Sequence, residues 1–207
     1  MGKKIFPDGK SPGIECRCGE YNKSKGFFGE RIMKHSIALF SLCGFAFTSL
    51  FGTLLHFLYD WLGAPTWIAP FSGVNESTWE HMKLLFWPML LFAIFQGFFF
   101  RSRADFSCAA LVGILTGLSL IPILFYTYNG IIGPSPDWIN IAIFFLAALG
   151  GYLAQALLLR REQAPACLPW LAPVLLSLLC LAFVLFTFYP PRLEIFRDPL
   201  TGTFGIE

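Results

Sequence analysis

Five uninterrupted apolar runs decide what this chain can fold into. An α-helix needs about 20 residues to cross a hydrocarbon core of ~30 Å. The runs read as Ser36–Asp60, Lys83–Phe100, Phe106–Tyr126, Trp138–Leu159 and Cys167–Phe188, and they take up more than half of the 207 residues. They are continuous rather than alternating, which excludes a transmembrane β-barrel. Only 14% of the residues are charged and 56% are hydrophobic. A soluble domain needs a surface with roughly 25–35% charged side chains. The expected fold is therefore all-α, a polytopic bundle of five transmembrane helices in the cell membrane, with the lipid bilayer as its main partner. The first run is too long for the apolar core of a signal peptide, and no small-residue cleavage site follows it.

Charge placement predicts the orientation. Residues 1–35 hold Lys3, Lys4, Lys10, Arg17, Lys23, Lys25, Arg31 and Lys34. Arg101 and Arg103 follow the second run, and Arg160 and Arg161 follow the fourth. The loops 61–82 and 127–137 hold no Lys or Arg. Only the tail breaks this alternation, with Arg192 and Arg197 opposed by Glu194 and Asp198. By the positive-inside rule the N-terminus is cytoplasmic and the C-terminus is outside. The segment 75–83, the turn 126–130 and the tail 189–207 then share the outer face.

Residues 1–32 differ from the rest. They are polar and lack periodicity, and they read as an extension without regular structure. Cys16 and Cys18 form a lone C-x-C pair there, too few ligands for a zinc site. Met33, followed by the basic Lys34 and then the first run, has the pattern of a native start. The expected organisation is an extension (1–32), a helical membrane domain (33–188), and a tail (189–207) folded back over the outer face. The tail's Pro190, Pro191, Pro199, Gly202 and Gly205 are turn formers.

The chemistry concentrates at 75–83, where Asn75, Glu76, Ser77, Glu80, His81 and Lys83 stand directly before an apolar run. Ionisable groups are costly near a bilayer and mark functional sites there. Part of the segment reads as helix capping. Asn75 is a good N-cap, Ser77-x-x-Glu80 matches a capping box, and Trp79 and Trp87 suit an interfacial belt. Capping leaves His81 unexplained. On a helix Glu76, Glu80 and Lys83 form one stripe, and His81 lies about 100° from Glu80. His56 and Asp60, four residues apart, share a face at the outer end of the first run. The short connection 61–74 makes these two ends neighbours.

This places His56, Asp60 and His81 as metal-ligand candidates, with zinc the natural divalent ion for such donors. Glu76, Glu80 and His81 are the catalytic candidates. Asn75, Lys83, Asn129, Arg192 and Asp198 are candidates for substrate contacts. The cysteines Cys43, Cys108, Cys167 and Cys180 read as small apolar filler. Gln96, Thr116 and Gln155 read as interhelical glue, and Gly113-x-x-x-Gly117 and Gly150-Gly151 as close-packing positions. No phosphate-binding loop, HExxH or G-x-S-x-G motif occurs, and nothing supports nucleic-acid binding.

Three segments carry a family resemblance. They are Leu55-His56-Phe57-Leu58-Tyr59-Asp60; Val74-Asn75-Glu76-Ser77-x-Trp79-Glu80-His81-x-Lys83 with Phe86-x-Pro88; and the tail Pro190-Pro191 to Phe196-x-Asp198-Pro199-x-Thr201-Gly202-x-x-Gly205. From Met33 to Ile206 the chain resembles a domain of unknown function found in small polytopic membrane proteins of Clostridia-type Firmicutes. That resemblance implies a fold and a shortlist of positions, and no activity. Three functional classes stay open. One is a metal-dependent hydrolase at the outer leaflet, with a glutamate as general base. Another is a proton-coupled carrier, which with five spans implies a homo-oligomer. The third is an accessory subunit docking a membrane partner.

Overall fold

The structure of the chain, a computed structural model, describes the backbone of residues 18–101, 103–161, 168 and 170–206, and side chains from Met33 onward with the same gaps. The C-x-C pair and Cys167 fall outside the described residues or side chains. Five helices form: α1 (Cys18–Trp61), α2 (Thr78–Phe100), α3 (Phe106–Ile131), α4 (Asp137–Leu159) and α5 (Leu171–Phe188), followed by a 3-10 turn (Glu194–Phe196). Among the described residues there is no β-strand, only one isolated bridge between Arg197 and Phe204. The chain divides into two units, residues 1–35 and residues 36–207. Within the first, residues 18–32 are helical, where an extension without regular structure was expected.

The five spans are all long and apolar enough to cross a membrane. Their bounds differ modestly from the apolar runs. The second starts at Thr78 rather than Lys83, because Ser77 caps it with its hydroxyl on the Glu80 N–H. Large apolar side chains lie exposed on the outer faces, such as Leu91, Ile94 and Phe98 on α2 and Leu178, Leu181 and Leu185 on α5. On a water-soluble protein such a surface would aggregate; here it meets lipid chains. The chain is a multi-pass helical membrane protein.

Small residues set the closest crossings. A Cβ on Gly113 would lie 2.9 Å from the Gly151 carbonyl oxygen, and one on Gly151 only 2.7 Å from that of Gly113, so α3 and α4 touch backbone to backbone. Mid-span polar groups pair across helices. Gln155 donates to Gln96 (2.9 Å) and Thr48 shares a hydrogen bond with Tyr152 (2.9 Å). Thr116 bonds back to the Val112 carbonyl on its own helix. Trp79 is not an interfacial anchor but a core residue, in tilted and edge-on ring contact with Phe183, Phe186 and Phe196. Cys108, expected as filler, is disulfide-bonded.

Candidate metal centre at one end of the bundle

The end of α1, the start of α2, the α3–α4 turn and the tail all meet at one end of the bundle. A single serine brings the first two together. The Ser72 hydroxyl donates to the Leu55 carbonyl and accepts from the Tyr59 N–H (2.9 Å). It thereby bridges an i, i+4 pair of α1, in the way a side chain can insert into a helical ladder. Gly73 N–H adds a second bond to the Leu55 carbonyl (3.3 Å). The loop is thus latched one residue from His56.

From this latch the chain reverses through Asn75. Its Oδ1 accepts from the Ser77 N–H (2.9 Å), an Asx turn that sets up Ser77 rather than Asn75 as the helix cap. Its Nδ2 donates to the Gly205 carbonyl (3.0 Å), tying in the tail. Glu76 lies before the helix and does not follow the helical stripe. Its carboxylate stands between two imidazoles, with Oε1 3.6 Å from His56 Nε2 and Oε2 3.6 Å from His81 Nε2. The two rings lie 5.7 Å apart by their centres. One ligand atom from each of His56, Glu76 and His81 falls within 4.8 Å of the other two.

The geometry of this trio suits a metal ion or a shared proton. His81 Nδ1 is 3.0 Å from the Ser77 carbonyl oxygen. A carbonyl only accepts, so Nδ1 carries a proton and donates it. In the neutral ring Nε2 then presents a bare lone pair to a carboxylate oxygen. Two lone pairs facing each other repel unless a proton or a metal ion lies between them. The bond from Nδ1–H to a carbonyl is also the support that metal-ligating histidines commonly have. Zinc bonds of about 2.0–2.2 Å in a tetrahedron put neighbouring ligand atoms about 3.3–3.5 Å apart. The two histidine–glutamate separations of 3.6 Å already approach that value. The two run to different carboxylate oxygens, so closing a tetrahedron on one of them takes a further shift of the Glu76 carboxylate or of a histidine ring.

The remaining candidates part company with this trio. Asp60 is exposed and is not in the ligand group. Glu80 and Lys83 are buried and pair with each other at 2.5 Å. Lys83 Nζ also donates to the Ala69 carbonyl (2.7 Å) and the Thr187 hydroxyl (3.1 Å), and Glu80 accepts from the Val74 N–H (3.0 Å). Their geometry fits a clasp joining the 61–74 loop to α2 and α5. Asp198 is buried. Its Oδ1 accepts from the N–H groups of Leu200 and Thr201, and its Oδ2 from the Glu76 N–H at 3.5 Å, so it supports the backbone of the central carboxylate. Asn129 braces the α3–α4 turn through the Ser135 N–H (2.7 Å), and Arg192 is exposed.

The trio faces a cavity of ≈ 940 Å³. Its upper wall holds Asn129, Ser135, Asp137 and Asn140, and its lower wall Leu84, Ile121, Phe125 and Phe144. Asp137 and Asn140 went unremarked in the sequence. Their i, i+3 spacing at the start of an apolar run was the available signal.

Residues 31–206 match the model of a family of unknown function (DUF6512). The chain belongs to that family. No curated protein and no solved structure matches it. The match covers the five spans, the trio and the tail together, and the trio's geometry is the guide to what this DUF6512 chain does.

Proposed function

We propose that this protein binds a divalent transition metal such as zinc through His56, Glu76 and His81 and uses it to hydrolyse a ligand held in the adjoining cavity. The observation that carries the reading is the His81 ring. Its Nδ1 is committed to the Ser77 carbonyl, and its Nε2 is aimed at a carboxylate that also faces His56. Two histidines and a glutamate leave a coordination position for water, the pattern of hydrolytic zinc sites. A metal so placed lowers the pKa of its water to about 7 and polarises an ester or amide carbonyl. Glu80 is a poor choice of general base, because Lys83 and the Val74 N–H engage it.

The pairing of Gln96 with Gln155 and of Thr48 with Tyr152 counts against a carrier, since these mid-span polar groups satisfy each other instead of lining a path. The site end of the bundle is assigned to the extracytoplasmic side, because loops 61–77 and 132–136 lack Lys and Arg whereas Arg101, Arg103, Arg160 and Arg161 cluster at the other end. The test is metal analysis of the full chain purified from native membranes. About one equivalent of zinc is expected, lost in His56→Ala and in His81→Ala. A content below about a tenth of an equivalent, unchanged in both variants, overturns the reading.

A further inference from the structure

α1 and α4 touch along one stripe, and a cavity opens beside its end. A Cβ on Gly44 would lie 2.4 Å from the Tyr152 ring, Thr48 bonds the Tyr152 hydroxyl, and a Cβ on Gly52 would lie 2.4 Å from Phe144 Cζ. Gly44, Thr48 and Gly52 are spaced four apart and so share a helix face. Beyond Gly52 the cavity lies between the two helices. Thr53 and Phe57 on α1 and Ile141 on α4 line it. All three are exposed, Phe57 by 43% and Ile141 by 58%. The cavity therefore opens sideways, and it does so within the apolar spans Met33–Trp61 and Asp137–Leu159.

Position and lining together specify the occupant. Water does not stably fill an apolar space, since it finds too few polar partners there. A lipid chain, already in hydrocarbon at that depth, incurs no desolvation cost on moving in. Above the apolar wall stand the trio and the polar groups of Asn129, Ser135 and Asn140. We propose that the ligand is a membrane lipid that enters from the bilayer through the α1–α4 gap. Its chain lies against Phe57, Phe125, Ile141 and Phe144, and its head group reaches His56, Glu76 and His81. This deepens the hydrolase reading by naming its substrate class, and it rests on that reading only for the chemistry at the head.

The test reconstitutes the full chain in phosphatidylcholine vesicles doped with a lysophosphatidylcholine that carries a photoactivatable diazirine on its acyl chain. After irradiation, peptide mass spectrometry locates the adducts. Adducts are expected in segments 53–57, 121–125 and 141–145, cut by about tenfold in Thr53→Trp/Ile141→Trp. Leu178→Trp, on the lipid-facing side of α5, leaves them unchanged. Adducts confined to outward residues such as Leu91 and Leu178 overturn the proposal. So does labelling that ignores the double tryptophan variant. Labelling of the chain wall survives in His81→Ala. Wall adducts without bound zinc therefore sink the metal reading alone, and bound zinc with adducts elsewhere sinks the lipid reading alone.

Discussion

Replacing Lys83 by Met tests the assignment of Glu80 and Lys83 to architecture rather than chemistry. Lys83 is 0% exposed and holds three oxygens: Glu80 Oε2, the Ala69 carbonyl and the Thr187 hydroxyl. Met keeps an unbranched side chain one atom shorter and removes every donor. The Glu80 carboxylate is then left in the interior with the Val74 N–H still donating to it. Removing one member of a buried ion pair costs about 3–5 kcal/mol, because the survivor is an uncompensated charge. Glu80→Gln/Lys83→Met removes both charges and keeps an acceptor for Val74. Its cost reduces to the two lost bonds from the ammonium, about 1–3 kcal/mol. The double variant is therefore expected to be more stable than Lys83→Met. Equilibrium unfolding in mixed micelles of increasing SDS fraction, followed by circular dichroism, measures both. Zinc content of the double variant should match that of the unaltered chain. A Lys83→Met cost under about 1 kcal/mol, or a double variant less stable than the single, refutes the clasp. Zinc lost in a double variant that still folds refutes the placement of Glu80 outside the metal site.

Three further outcomes follow from the same structure. Asp198→Asn turns an amide N–H toward the Glu76 N–H that Asp198 Oδ2 now accepts; zinc affinity should fall by about 10–100-fold with folding intact, measured by competition with a chelating dye. Gly151→Val forces α3 and α4 apart where the Gly113 carbonyl sits, and should destabilise the chain by about 1–3 kcal/mol or more in the SDS titration. Arg103 donates to Asp105 (2.9 Å) in the α2–α3 connection, and the guanidinium holds that carboxyl below the usual carboxylate range. A depressed folded pKa stabilises above the unfolded value and stops doing so as the pH falls through the folded value. The stability difference between the unaltered chain and Asp105→Asn should therefore be present at neutral pH and vanish in strong acid. A difference that grows on acidification contradicts it.

What was legible before the structure follows from periodicity and hydropathy. An apolar run of spanning length can only be a helix in a bilayer, because the backbone must satisfy its own hydrogen bonds there. All five spans were therefore readable to within a few residues. His56, Glu76 and His81 were also readable as candidates, since ionisable groups at a span's end stand out against an apolar chain. Their grouping was not. A helical wheel joins Glu76 to Glu80 and Lys83, but the Ser77 cap starts α2 one residue too late for Glu76 to belong to that lattice. Freed from it, Glu76 turns to the two histidines, and Glu80 turns inward to Lys83.

Asp60 shares a face with His56 on α1 in any wheel. It drops out because the Ser72 latch brings the loop back at Leu55 and Tyr59, setting Glu76 beside His56 rather than beside Asp60. The donor residues and the membrane depth at which they sit are thus properties of the chain itself, set by residue chemistry and hydropathy. Which carboxylate meets which imidazole depends on loop contacts and on bonds between residues more than a hundred positions apart, such as Asn75 to Gly205 and Glu76 to Asp198. No local pattern encodes those separations, so only the tertiary structure decided them.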